Sequence, residues 1–189
     1  MAKLVLYTFA IFQQPNESEH NKGFHDRNPF VYVSAENSIG FVDRAGLSGK
    51  RNPADRNRDW GVRDVSPRFL TTGEHRNTAA TLSIWDDVES VYAFTYHGFH
   101  AEVLKMRDDW FVKGEWPPFV CWWTGDDESP TRAEGAQRLE RLHDNGPTAY
   151  AFDFKAPFDA DGKPLRMDRR KIQERADVVK SHMRHGKES

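Results

Sequence analysis

Two histidines three residues apart, His97 and His100, stand in the stretch TLSIWDDVESVYAFTYHGFHAEVLKMRDDWF, residues 81–111. On a continuous helix this spacing puts both rings on neighbouring positions, with His100 in line with Leu104, Arg107 and Phe111. A neutral imidazole offers one lone pair, to a proton or to a metal, and its ordinary pKa lies near neutrality. Phe and Trp residues around it suit the faces of a porphyrin. His100 is therefore a candidate axial ligand of heme iron, with His97 and Trp110 as further cofactor contacts. It is equally a candidate general base. Arg107, one turn before Trp110, can grip a substrate carboxylate or a heme propionate with its planar fork. The plainer reading has surface histidines and an arginine paired with Glu102 or Glu115. A mononuclear zinc or iron site needs a third ligand, and spacing identifies none, so the metal role expected of His100 is that of heme ligand only.

Around these residues the sequence offers an aromatic pocket lining. Tyr7, on the inward phase of a first strand, and Tyr96 can donate to a bound carbonyl. His25, Trp85, Phe99 and Trp122 complete the expected substrate lining, which suits a hydrophobic or aromatic small molecule. The tryptophans serve equally well as core. The lone Cys121 lies in an apolar strand and reads as a small core residue. A single cysteine excludes an intramolecular disulfide and a thiolate zinc cage. Asp86-Asp87 and Asp126-Asp127-Glu128 fall at turns and read as caps. The chain carries no GxGxxG, GxxxxGK[ST], GxSxG or HExxH.

The elements that must position these groups follow from periodicity. KLVLYTFAIF (3–12) reads as a central strand. A three-turn helix is expected from His25 to Asn37, with Pro29 in its first turn, then a short strand over FVDRA (41–45). Residues 46–78 form a long connection anchored by Trp60, Phe69 and Leu70. It is either a lid over a pocket mouth or a surface excursion packed on the edge. AATLSIW (79–85) is a third strand, and Asp86 and Asp87 open one long amphipathic helix to about residue 110. Gly98 within it marks a break or a close approach to another group. FVCWW (119–123) is a fourth strand, and Thr131 and Glu134 have capping-box spacing at the start of a further helix. TAYAFDF (148–154) alternates as a fifth strand. A basic-rich arm and helix then occupy 155–189, beyond a main domain over 1–154.

The 189 residues suit one domain, and a net charge of −2 argues against a nucleic-acid binder. There is no apolar run long enough to span a membrane. The N-terminus has one basic residue and no small-residue cleavage site, so it reads as a strand rather than a signal peptide, and a cytoplasmic location is expected.

The order strand–helix–strand, strand–helix–strand is the split βαβ pattern of a ferredoxin-like α+β fold. The fourth strand is apolar on both faces, so both must be covered, and self-association through an open sheet face is the expected remedy. The residues LYTFAIF, TLSIWDDVESVYAF, HAEVLKMRDDWF, CWW, RLERLHDNGPTAYAF and PFDADG carry a resemblance. Over about residues 3–162 the chain resembles a bacterial domain-of-unknown-function family within the dimeric α+β barrel superfamily, which includes antibiotic-biosynthesis and heme-degrading monooxygenases. The resemblance implies a homodimer with a pocket between each sheet and its helices. In the heme-degrading relatives the iron ligand comes from the second helix of the unit, which favours His100. The expected function is thus a monooxygenase-like oxidoreductase for a hydrophobic or aromatic substrate, with heme b as first candidate cofactor and no cofactor as second. The alternative is a ligand-binding or interaction protein without turnover.

Overall fold

The structure, a computed structural model, describes residues 1–46 and 58–185, with backbone alone for 182–185. Its centre is β1 (Lys3–Ile11), whose alternation of Leu4 and Leu6 with Val5, Tyr7 and Phe9 loads both faces with apolar side chains. Such a strand needs neighbours on both edges and cover on both faces. It pairs antiparallel with β3 (Thr78–Trp85) on one side and β4 (Phe119–Thr124) on the other. With β2 (Phe41–Arg44) on the outer edge of β3, the sheet order is β2-β3-β1-β4. The fold is α+β and matches the ferredoxin-like split βαβ arrangement expected from the sequence.

One sheet face carries Leu4, Leu6, Trp85 and Cys121 beneath α1 (Lys22–Glu36) and α2 (Val88–Tyr96). The other carries Val5, Tyr7, Leu82, Ile84, Val120 and Trp122 beneath α5 (Arg132–Asn145). Ala136, Leu139 and Leu142 of α5 pack there, joined by Trp60, Phe69 and Leu70 of the 58–77 connection. The second face is thus covered within the chain. The physical reason that favoured self-association through an open sheet is met internally.

Three expectations about elements change. Helix α1 begins at Lys22, so Pro29 lies mid-helix instead of in the first turn. Proline there removes an intrahelical hydrogen bond, and packing of Val31 and Ala35 on the sheet core holds the helix through it. The single long helix is three: α2, α3 (Gly98–Leu104) and α4 (Arg107–Trp110). The break falls at His97, which is extended, and Gly98, with φ of +63°. The fifth strand reduces to a local bridge, Thr148 with Ala151, and a single bridge to the sheet, Cys121 with Phe152, made by paired backbone bonds of 2.7 and 3.0 Å. The chain then turns away at Asp153, whose carboxylate accepts the Lys155 N–H at 2.9 Å.

The terminal helix α6 (Arg169–His185) docks on α2 and α3, burying Ala176 and Val179. Arg175 reaches Asp87 at 2.6 Å, and Glu89 accepts the backbone N–H of Asp168 at 2.9 Å. The two predicted caps are present. Asp87 accepts from Ser90 N at 2.8 Å, and Thr131 Oγ1 from Glu134 N at 3.2 Å. Of the connection read as a lid or an edge excursion, 47–57 lies outside the described residues. The rest is fastened down. Trp60 is buried, Phe69 stacks on Trp116 at 5.3 Å, and Arg68 pairs with Asp144.

Candidate functional site

The sheet separates the residues expected to line one pocket. Tyr7 and Trp122 belong to the α5 face, while Trp85 belongs to the face under α1 and α2. His100 stands one layer further out on the α1 and α2 side. Its ring lies 4.7 Å from Phe94, and Phe94 stacks on Trp85 at 5.2 Å.

His100 is partly buried, and its Nδ1–H donates to the Thr95 carbonyl at 2.9 Å. That bond fixes the tautomer and leaves the lone pair on Nε2. Burial lowers its pKa below the ordinary histidine value, with the Thr95 bond opposing. His97 lies in the extended link before α3, and burial and then the charge of Lys180 lower its pKa too. The broken helix denies the two histidines the shared face that their spacing implies.

The other expected partners of His100 stand apart from it. Arg107 is exposed and pairs with its own neighbour Asp108 at 3.1 Å, not with Glu102 or Glu115. Trp110 is buried against Phe24, ring to ring at 5.8 Å, in a cluster with Phe12 and Phe111. His25 is exposed beside that cluster, with Nε2 on the Asn16 carbonyl at 2.9 Å. Phe99 packs toward Phe30 of α1 at 6.0 Å. Tyr96 is exposed on the outer side of α2, 4.8 Å from Tyr92. The groups expected to hold a heme are not brought together here. The sheet side of His100 is filled by Phe94 and Trp85, and the arginine meant for a propionate faces solvent. Cys121 is buried, and burial pushes its thiol pKa well up, as suits a core residue.

The α5 face holds a different set. Tyr7 is fully buried, and its hydroxyl has no hydrogen-bond partner among the described residues. The indole N–H groups of Trp60 and Trp122 are buried and unpartnered as well. All three belong to one core cluster. Tyr7 and Trp122 are diagonal neighbours on the strand pair, since Val5 faces Trp122 and Tyr7 faces Val120. A native interior leaves few buried polar groups unpaired, and each costs about 1–3 kcal/mol. All three groups are hydrogen-bond donors, and none has an acceptor among the described residues. Burial raises the Tyr7 pKa above the ordinary tyrosine value, so the phenol keeps its proton and stays a donor.

The first turn of α5 closes this site. The Trp60 carbonyl accepts the Arg132 backbone N–H at 3.1 Å, and Gly61 lies against Thr131. Gly135 presses on the Tyr7 ring: a Cβ there would stand 2.5 Å from Tyr7 Cγ, so only glycine fits. The Trp122 ring is further covered by the Arg138 guanidinium at 5.0 Å. The sequence had pointed to Tyr7 as a donor and to Trp60 as an anchor. Arg132 carried no signal, because a basic residue at a helix start is ordinary.

Among the described residues no three or more of His, Cys, Asp and Glu gather as a metal cluster, and no helix is long and apolar enough to cross a membrane. No curated protein matches the chain. Residues 3–168 match a family described as Domain of unknown function (DUF3291). That span takes in all four strands, α1 to α5 and the arm that leads to α6, and the chain belongs to the DUF3291 family.

Proposed function

We propose that this protein binds a small hydrophobic or aromatic molecule bearing an acceptor oxygen, on the sheet face covered by α5 and the 58–70 segment. One observation carries the reading: the Tyr7 hydroxyl and the Trp60 and Trp122 indole N–H groups are three buried donors without an acceptor in a single apolar cluster. Leu82, Val120 and Leu139 supply the apolar surround. Small-molecule sites have this makeup, mostly apolar with a few convergent polar groups. The strand order β2-β3-β1-β4 supports placing the family within the dimeric α+β barrel superfamily, whose folds host such sites.

The tryptophans provide the test. Trp85 Nε1–H already donates to Ser83 Oγ at 2.9 Å, and Trp123 Nε1–H to the Phe158 carbonyl at 2.8 Å. Titration with benzoate, benzamide and acetophenone, followed by the nitrogen-15 indole signals, should move Trp60 and Trp122 and leave Trp85 and Trp123 in place. If no probe moves Trp60 and Trp122, the reading fails.

A second reading, monooxygenase-like turnover of an aromatic substrate, rests on His100. Its Nδ1–H bond to Thr95 presents the Nε2 lone pair as a proton acceptor. His100→Gln should then abolish oxygen-dependent turnover while leaving the indole shifts of Trp60 and Trp122 intact. Equal turnover in the variant removes this role for the histidine.

A further inference from the structure

We propose that the molecule on the α5 face is a carboxylate, with Arg132 as its counter-charge and Tyr7 Oη–H and Trp60 Nε1–H as its neutral donors. This names the ligand class of the site proposed above and rests on that reading.

Arg132 carries an unspent charge. This side chain is partly buried, and its one hydrogen bond among the described residues is a long one, 3.4 Å, to the Gly46 carbonyl. It makes no ion pair among the described residues. A desolvated guanidinium without a carboxylate is costly, and a planar anion is the partner its geometry fits. The acids along α5 are already engaged. Glu134 pairs with Arg138 at 2.8 Å, and Glu140 accepts the backbone N–H of Arg68 at 2.7 Å.

Tyr7, Trp60 and Arg132 meet at the first turn of α5. Gly135 lays the Tyr7 ring along the first turn of α5, and the Trp60 carbonyl is bonded to Arg132 itself. Of the charged groups around the Tyr7 phenol, Arg132 acts on it most strongly and Glu140 next. Arg132 in turn feels the positive Arg63 before it feels the phenols of Tyr7 and Tyr32. The local balance is therefore a cationic excess beside buried neutral donors. Arg63 is exposed and forms no ion pair among the described residues, so it stands where an incoming anion would first meet positive charge.

The apolar surround favours an organic carboxylate over an inorganic anion. Leu82, Val120 and Leu139 of the same core cluster offer nothing to the free oxygens of a phosphate. One end of the ligand must be apolar. Two oxygens at the other end satisfy Arg132 and the neutral donors together, as charge-assisted bonds shorter and stronger than neutral ones.

The test uses the full chain and three probes: benzoate, its neutral isostere benzamide, and inorganic phosphate. Affinities come from isothermal titration, with the Trp60 and Trp122 indole signals as the site marker. Benzoate should bind about tenfold more tightly than benzamide, since a charge-assisted bond is roughly twice as strong as a neutral one and that difference converts to about a factor of ten in affinity. Arg132→Gln should erase the difference, while Arg132→Lys, which keeps the charge, should retain part of it. Tyr7→Phe should weaken benzoate severalfold, and circular dichroism establishes that each variant is folded. Equal binding of benzamide and benzoate, an unchanged ratio in Arg132→Gln, or competition by phosphate at equal concentration overturns the carboxylate and leaves the site standing. Failure of every probe to move either indole overturns both.

Discussion

Trp85 and Trp122 are the two largest fully buried side chains, and they stand on opposite faces of one sheet. Trp85 pairs in register with Leu4 and Trp122 with Val5, adjacent residues of β1 that point to opposite sides. The Trp85 indole has its acceptor in Ser83, while that of Trp122 has none. At the level of these two tryptophans, the α5 face keeps an indole N–H without an acceptor and the other face does not.

An unpartnered donor on the α5 face has a stability consequence. Tyr7→Phe removes a buried hydroxyl that satisfies no partner, so the ligand-free protein should gain about 1 kcal/mol. Urea unfolding measures it as a higher midpoint at unchanged slope. The same variant should bind benzoate less well, a trade between stability and function. A loss of stability would show that the hydroxyl is well satisfied in solution.

Gly98 is the pivot of the α2–α3 break. A Cβ at this position would lie 2.4 Å from Val179 Cγ1 of α6, and φ is +63°. Gly98→Ala should cost about 2–4 kcal/mol, from left-handed backbone strain plus overpacking. Hydrogen exchange should show α6 losing protection first. Adding Val179→Ala should recover the steric share and leave the backbone share of roughly 1 kcal/mol.

Asp87 works twice, as cap of α2 and as partner of Arg175. Asp87→Ala should destabilise by about 1–2 kcal/mol. Asp87→Asn keeps the cap and loses the ion pair, so it should cost clearly less than the alanine. Thermal unfolding of the three proteins side by side decides it. Equal losses would place the whole effect in the ion pair.

Acid should loosen the outer helices. Burial lowers the His100 pKa below its ordinary 6.5, with the Thr95 bond opposing. The unfolded chain therefore binds a proton that the folded chain resists. Stability from this group is full above the ordinary value and falls as pH drops from there through the lower folded value. His97 shifts the same way, through burial and then Lys180. Stability measured between pH 7 and 5 should decline less steeply in His100→Gln than in the parent. Parallel curves would remove His100 as a source of the acid sensitivity.

Much of the architecture was readable from local pattern. Alternation in KLVLYTFAI places Tyr7 on one side of β1 and Leu6 on the other, since successive side chains on a strand must oppose. The Thr131–Glu134 spacing located the start of α5, and both faces of FVCWW announced that the sheet is covered twice. The candidate site was half visible. The sequence marks Tyr7 and Trp122 as lining but does not part them from Trp85, Phe99 and His100, because aromatic content carries no record of which face it serves. Arg107 and Trp110 were tied to His100 by helical spacing, and that spacing holds only while the helix continues.

What local pattern could not contain was set by partners distant along the chain. Val179 meets Gly98 across 81 positions and supplies the contact at which the helix parts His97 from His100. Whether α5 covers its own sheet or another's depends on the path of the chain after β4. So does the meeting of Trp60 with Arg132 at the first turn of that helix. Periodicity is a property of neighbours a few residues apart, and it determined the strands, the caps and the two apolar faces. The pairing of faces with covers, and the three donors left without an acceptor, arise only when packing energy is settled over the whole core at once.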